Sequence, residues 1–585
     1  MRHTSQKTSL QLLQLPSETT SVQRSPPSPF RLLARHFAKQ ILSLGAEGDE
    51  PEIGVTGILA ILAVPGVFYS LLLFDKYSTF LRMLRGGPSH IDVYRDSVPD
   101  KYLFVVCSMA LTAIIVAIKW DRVLPGSLDH SVLAPLPIRL RTIFLSNAAA
   151  LGFIAAIFAI DLNAVPTVLF PVVVLSDKSL GLTTTVQYIL VHGACVVLAS
   201  AFAFSTCLGL LGALMSLLPP AIFRRASLFV RLGIVFVSFL LLSTVSWVPA
   251  LMRSQSPATS ILNWLPPAWY VALYQCMQGY GTPVLRRLAA IGLSVEALAL
   301  CVALGSMILS YRRHFMRVPE STGASRLAGS SSGAWSVFMR RLMNRLVLRS
   351  GFDRAFYWFA LRVLLRSEAH FIAVGAFLTL GLVIASGHLA ANSGSIVQDM
   401  ISGSLSVLYL VLMGFRMTLT IPAGVKSAWI YSMCSTRPDP RPVLRKLAIT
   451  ILLFVVVIPA ACIVAFHGGW ELAFFHALYL LAVGALLSGC VLMNFRTIPF
   501  TSGLPNFQSR TILLIALNAL AFLAFTALGA GLEMLMLRHR LSFLAVPAVL
   551  ALWHGILRRT EKQDASTDHL EMSDGDLVIQ TLALD

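Results

Sequence analysis

Three ionisable residues, His192, Glu296 and Arg416, lie inside long apolar stretches of this 585-residue chain. A charge in such surroundings is costly and usually serves a function, such as carrying a proton or an ion. An acid and a base can also neutralise each other, and we expect Arg416 to pair with Glu296. Three further ionisable residues fall near the ends of apolar stretches and could reach water: Glu471, His476 and Glu533. Together they do not form the acidic series that favours a proton relay.

Motifs for enzymatic chemistry are absent from the sequence. It contains no Gly-x-x-x-x-Gly-Lys-Ser/Thr loop to hold a nucleotide phosphate and no His-Glu-x-x-His pair to hold zinc. The eight cysteines form no Cys-x-x-Cys pair, which indicates packing residues. His90, Asp92 and Asp96 come nearest to an acid-base group, but a loop rich in basic residues favours a solvated charge cluster. We expect no enzyme activity, catalytic residue, metal site or cofactor in this chain.

The composition indicates that the bilayer is the solvent for most of this chain. Hydrophobic residues make up 56% of it, charged residues only 13%, and the mean hydropathy is +0.74. A water-soluble domain of this composition would expose far too much apolar surface. The apolar stretches are continuous and about 20 residues long, so they predict membrane-spanning helices rather than barrel strands. The expected fold class is an all-α bundle that crosses the membrane many times.

Twelve such stretches divide the chain into two halves of six. They predict a first half at 53–310, a basic connector at 311–368 and a second half at 369–557, between an N-terminal arm at 1–52 and an acidic tail at 558–585. A leftover apolar piece at 161–175, which contains Pro166 and Pro171, is expected to be interfacial or re-entrant. The predicted spans are 53–74, 102–118, 142–160, 183–216, 228–250, 288–310, 369–387, 396–421, 447–466, 471–493, 512–535 and 542–557.

The distribution of basic residues predicts the orientation. With the N-terminus inside, the inside segments hold 33 lysines and arginines and the outside loops hold 11. Basic residues are retained on the cytoplasmic side, so both termini are expected in the cytoplasm of a cell membrane. The net charge of +18 is explained by this bias and by contact with anionic lipids, and no nucleic-acid partner is expected.

Both terminal segments differ from the spans. The arm contains a predicted amphipathic helix, and we expect it to lie along the inner membrane surface. Its apolar face would consist of Leu33, Phe37, Ile41 and Leu44. The tail after residue 557 turns acidic and is expected to be mostly disordered.

The loop after the second stretch contains the run Gly126-Ser127-Leu128-Asp129, and Pro135-Leu136 begins nine residues after the glycine. Here the chain resembles the permease subunits of bacterial type 2 ABC export systems, which place Gly-Thr-Leu-Glu and Thr-Pro-Leu at this spacing. It departs from them by a serine for their threonine and by lacking their glutamate before the glycine. A short helix in this loop would end at these prolines, and the next span would begin after them. A force on that short helix would move the second and third spans together.

The resemblance implies a function and a partner. In that family the segment docks on a separate ATP-binding subunit, which binds ATP and Mg, and the permease exports its substrate by alternating access. The second half repeats the plan, because a segment that contains Trp429 follows its second span. In this respect the chain resembles the large two-half ABC exporter permeases over most of its length. A homodimer stays open, because the family often pairs two six-helix chains.

Two further segments bear on this interpretation. The stretch 263–275 is aromatic and broken by prolines, which predicts a dip into the outer leaflet like that of the family, or an aromatic belt loop. The connector holds eleven arginines and no lysine, with Arg341, Arg345 and Arg349 at four-residue spacing. Such a segment docks on the membrane surface or contacts the ATPase subunit. Two other classes of protein stay open: an ion-coupled secondary transporter that uses Glu296, and a membrane-embedded enzyme.

Overall fold

The computed structural model describes most of the chain. Single positions are also described within 70–78, 125–133 and 495–500. The predicted first span at 53–74 lies almost entirely outside the described residues. The continuous described ranges are 28–42, 92–123, 135–175, 182–253, 257–324, 334–348, 350–391, 396–421, 439–493 and 509–567.

The described residues form helices joined by short turns, with no strand among them. The first part of the chain contains an N-terminal helix, five long helices and a shorter helix of twelve residues. A one-turn helix precedes α2, and short helical turns link α5 to α6. The bounds are α1 Pro29–Leu42, α2 Val98–Lys119, α3 Leu140–Leu175, α4 Leu182–Leu217, α5 Pro220–Ser243, α6 Pro266–Met277 and α7 Pro283–Ala324.

The connector and the second half follow the same plan of long helices. Helix α12 contains a π-helical turn at Leu453–Val457, directly before Ile458 and Pro459. A 3-10 helix, Arg540–Ala545, joins the last two helices. The bounds are α8 Ala334–Leu346, α9 Gly351–Arg366, α10 Glu368–Ala391, α11 Ile396–Thr418, α12 Arg441–Gly468, α13 Trp470–Met493, α14 Ser509–Arg538 and α15 Val546–Thr567.

Eleven helical segments of the described chain are long and apolar enough to cross a membrane. They correspond to the second to twelfth predicted spans. Apolar side chains point outward around the bundle, for example Leu190, Leu528 and Leu552, which are each more than 60% exposed. Because lipid is a good solvent for such surfaces, the exposure fits a bilayer and not water. The chain is an all-α polytopic membrane protein.

Two expectations about helix boundaries were wrong. The piece at 161–175 is not separate, because α3 runs unbroken from Leu140 to Leu175 with Pro166 and Pro171 inside it. Both prolines are buried against neighbouring helices, and such packing tolerates proline within a membrane helix. The last helix also continues to Thr567, so the first ten residues of the predicted disordered tail are helical. The rest of the tail lies outside the described residues.

The two halves meet where α5 packs against α10. A β-carbon on Gly375 of α10 would collide with the side chain of Leu232 of α5, so this leucine packs directly on the backbone of α10. The rings of Phe229 and Phe371 add an edge-to-face contact, with centroids 6.2 Å apart. We call the end of the bundle that carries Glu368 the connector end, and the opposite end, which carries α6, the dip end.

Candidate functional site

Helix α1 packs on the loop that carries the predicted coupling segment. Asp129 is buried, and its carboxylate oxygens lie 3.1 Å from Nε2 of His36 and 2.9 Å from Nε2 of Gln40. The guanidinium of Arg122, just after α2, donates to the backbone oxygen of Gln40 at 3.1 Å. Two side chains of α1 therefore hold the loop, one on each carboxylate oxygen of Asp129. Arg122 adds a contact with the backbone of α1.

The apolar face of α1 is turned toward the protein. Leu33, Phe37 and Ile41 are buried in a cluster with Trp120 and Ile143, which belong to the ends of α2 and α3. The predicted amphipathic helix is present, and its apolar face packs on the protein's own helices. Leu44 lies outside the described residues.

Beyond Asp129, the loop exposes apolar residues at the connector end. Leu133 is buried, whereas Val132 is 58% and Leu136 is 45% exposed, and Pro135 is exposed beside them. An anchored loop that exposes an apolar tip is typical of a contact surface. Four other residues of the predicted coupling segments, Gly126, Ser127, Leu128 and Trp429, lie outside the described residues.

A charged group joins this loop to the second half of the chain. Arg231 on α5 is buried, and its guanidinium contacts the carboxylate of Asp121, which directly follows α2. The same guanidinium lies 3.4 Å from Oε2 of Glu368, the first residue of α10. Two carboxylates on one buried guanidinium satisfy its charge better than one would. A displacement of α2 would therefore be transmitted to α5 and α10 together.

The predicted pair of Glu296 and Arg416 does not form. Glu296 accepts a hydrogen bond from the hydroxyl of Tyr270 on α6 at 2.5 Å. Arg416 donates to the backbone oxygen of Val491 at 2.8 Å, near the ends of α11 and α13. The two residues belong to different halves, with Glu296 near the middle of α7 and Arg416 at the connector end. Each is satisfied by a neighbour that hydropathy does not reveal.

His192 lies in an aromatic cluster at the dip end. Its ring is fully buried among Phe104, Phe170 and Tyr274, with ring centroids 5.0 to 5.6 Å away. Within the described structure, neither ring nitrogen has a hydrogen-bond partner. Three rings around a buried imidazole indicate packing more than ligand binding.

A lysine that the sequence analysis placed in an outside loop is the central charge of this cluster. Lys101 is fully buried, and its ammonium donates to Oε1 of Gln278 at 2.7 Å. The nitrogen also lies 4.6 Å from the ring centroid of Tyr274 and 5.3 Å from that of Tyr188. Ring faces and an amide oxygen thus replace its hydration shell. Cys195 and the buried Asp100 lie nearby.

The second half buries a different polar pair at its dip end. Nδ1 of His476 lies 2.6 Å from Oε1 of Glu533, and both side chains are fully buried. The expectation that these two residues reach water was wrong, because α13 and α14 enclose them. Glu471 is exposed, and it pairs with the exposed Arg540.

Three other acidic residues, Asp92, Asp96 and Asp161, lie in or beside the helices of the first half. Asp92 caps a one-turn helix, and its backbone N–H donates to Oδ2 of Asp96 at 3.0 Å. His90 lies outside the described residues. Asp161 is part of α3, and its Oδ2 has no hydrogen-bond partner in the described structure. The sequence analysis missed it because it placed a helix end there.

No family model, no curated protein and no solved structure matches this chain. The geometry of the described residues is therefore the basis for a functional proposal.

Proposed function

We propose that this chain is the permease of an ABC export system and that a separate ATP-binding subunit docks on the loop between α2 and α3. The observation that carries the proposal is the loop itself. Asp129 fixes the loop to α1, while Val132, Pro135 and Leu136 remain exposed beyond it. A partner that pushed on this apolar tip would move α2 and α3 as one unit.

The ion network extends such a movement to the second half. Arg231 links Asp121, at the end of α2, to Glu368, at the start of α10. ATP binding and hydrolysis would occur on the partner with its Mg, and this chain would supply the substrate path. Alternating access then follows if the two halves rotate about the contact between α5 and α10. In this proposal the connector end faces the cytoplasm of a bacterial cell.

A site-specific crosslink tests the proposal directly. A photoreactive amino acid at Leu136 should capture an ATP-binding protein from native membranes, identified by mass spectrometry. The matched control is Leu541 at the dip end, which is also exposed and apolar and should capture no such protein. Leu136→Glu should abolish ATP hydrolysis that copurifies with the chain, because a charge in an apolar contact is costly.

Two results would overturn the proposal. One is the absence of any captured ATP-binding protein together with no copurifying ATP hydrolysis. The other is an equal capture from positions 136 and 541. If transport by reconstituted protein then depended on an ion gradient and was lost in Glu296→Gln, an ion-coupled transporter would replace the ABC permease.

A further inference from the structure

A cleft lies between α8 and α9, in the connector. Its volume is about 460 Å³, within the range of small-molecule sites. It is formed by the two short helices and not by the spanning bundle. The residues that line it are Arg340, Asn344, Gly351, Arg354, Ala355, Trp358, Phe359 and Arg362.

Three arginines converge on this cleft. Arg354, Trp358 and Arg362 recur at four-residue spacing and so share one face of α9. Arg340 reaches across from α8, and its guanidinium carbon lies 5.7 Å from the ring centroid of Trp358. Guanidinium groups form paired hydrogen bonds with phosphate oxygens, so three of them suit a phosphate group.

Contacts within the protein hold this arrangement in place. The indole N–H of Trp358 donates to Oδ1 of Asn344 at 2.8 Å, which joins α8 to α9. Arg354 donates through Nε to the backbone oxygen of Leu348 at 3.1 Å. Within the described part of the chain its terminal nitrogens have no recorded partner, so they can reach a ligand.

The positive charge of the cleft is not cancelled by the residues that line it. No acidic side chain is found among its eight lining residues. The nearest acid in sequence is Asp353, which accepts hydrogen bonds from Nζ of Lys446 and from Oγ of Ser350, both at 2.6 Å. Partial burial raises the pKa of Asp353, but these bonds outweigh it and hold the pKa below its usual value. Its carboxylate therefore pairs with Lys446 and not with the arginines of the cleft.

We propose that this cleft binds a phosphate group, and that an anionic phospholipid of the adjoining leaflet supplies it. Helix α9 ends at Arg366 and the spanning helix α10 begins at Glu368, so the cleft lies close to the membrane surface. Tryptophan is enriched at this depth, and basic pockets beside spanning helices bind anionic headgroups. A soluble phosphate compound shares the chemistry but has no reason to be found at this depth.

Lipid retention by the full-length protein tests the proposal. The protein is purified in neutral detergent and mixed with equal amounts of phosphatidylglycerol and phosphatidylcholine, and retained lipid is measured by native mass spectrometry. Phosphatidylglycerol should be retained at least tenfold better, and Arg340→Gln with Arg354→Gln and Arg362→Gln should remove this preference. The control is Arg341→Gln with Arg345→Gln and Arg366→Gln, which loses the same charge from exposed positions outside the cleft.

Further measurements distinguish a lipid from a soluble phosphate compound and control for misfolded variants. Millimolar inorganic phosphate should not displace the lipid. Full displacement would overturn the lipid as the source of the phosphate group. So would stabilisation of the protein by inorganic phosphate and not by phosphatidylglycerol. Equal losses in both triple variants would show general charge attraction and overturn the site. If the cleft triple fails to fold, a photoreactive phosphatidylglycerol on the unmodified protein should label 334–366, and labelling only elsewhere would overturn the proposal.

Discussion

The dip ends of the two halves bury charge in different ways. In the first half, the ammonium of Lys101 is surrounded by the rings of Tyr188 and Tyr274 and by the amide oxygen of Gln278. In the second half, His476 and Glu533 bond directly to each other at 2.6 Å. Lys101 is thus contacted by dipoles and ring faces, whereas His476 has a direct acid-base contact. The first half has such a contact beside Lys101, where Nζ of Lys76 lies 2.5 Å from the buried carboxylate of Asp100.

Helix α6 takes part in the arrangement of the first half. Tyr274 lies on α6 and Gln278 caps it, so this short helix supplies two of the groups around Lys101. In the second half the carboxylate comes from a neighbouring long helix, and a 3-10 helix of six residues joins α14 to α15. The two halves thus repeat the order of their long helices without repeating their polar chemistry.

The largest expected effect comes from breaking the acid-base pair of the second half. Glu533→Ala leaves His476 buried without its partner, which should lower the free energy of unfolding by about 3–5 kcal/mol. Thermal unfolding in detergent measures the loss. The control is Glu471→Ala, whose exposed pair with Arg540 should contribute less than about 1 kcal/mol. Similar effects of the two variants would contradict the view that burial distinguishes these glutamates.

A smaller loss of stability is expected from substitutions of Lys101, the buried lysine of the first half. Lys101→Ala empties the space between the rings and should cost about 2–4 kcal/mol. Lys101→Met keeps most of the volume, so it should cost only about 1 kcal/mol, chiefly for the lost hydrogen bond to Gln278. The same unfolding measurement compares them. Both variants remove the ammonium, so equal losses of stability in the two would show that the charge and not the packing dominates this site.

The smallest effect concerns the ion pair that fastens the connector to the second half. The pKa of Asp353 is lowered, so its stabilising contribution is present above its ordinary pKa of 3.8 and is lost as the pH falls through the folded-state value. Asp353→Asn should cost about 1 kcal/mol at pH 7, and this difference should shrink progressively as the pH falls below 3.8. A double-mutant cycle with Lys446→Met isolates the pair. A difference that persists at low pH would assign the effect to packing.

The sequence analysis located the spans well because hydropathy is a local property. A run of about 20 apolar residues predicts a span wherever its neighbours lie, and the fourth span was correctly expected to be unusually long. Errors occurred where tertiary packing overrides a local signal. Proline usually ends a helix, but Pro166 and Pro171 lie inside α3 because neighbouring helices bury them.

For the candidate sites, the sequence predicted which residues are unusual but not what they contact. His192 and Glu296 were correctly placed within spans, whereas the partner expected for Glu296 was wrong. Lys101 and Arg231 received no role. Lys101 was placed in an outside loop, and Arg231 was placed in a span, where the sequence does not reveal whether a basic residue faces lipid, protein or water. The resemblance to ABC permeases stays a prediction.

By itself, the sequence determined the solvent of this protein, its helical class and the order of its long helices. These follow from the apolar content and its spacing along the chain. Only the tertiary structure decided that α1 covers the loop at Asp129, that Arg231 joins the two halves, and that three arginines share one cleft. The contacting residues are 93 positions apart for His36 and Asp129 and 137 apart for Arg231 and Glu368. Helix packing brings such distant positions together, and no periodicity of the sequence reveals which helices pack against each other.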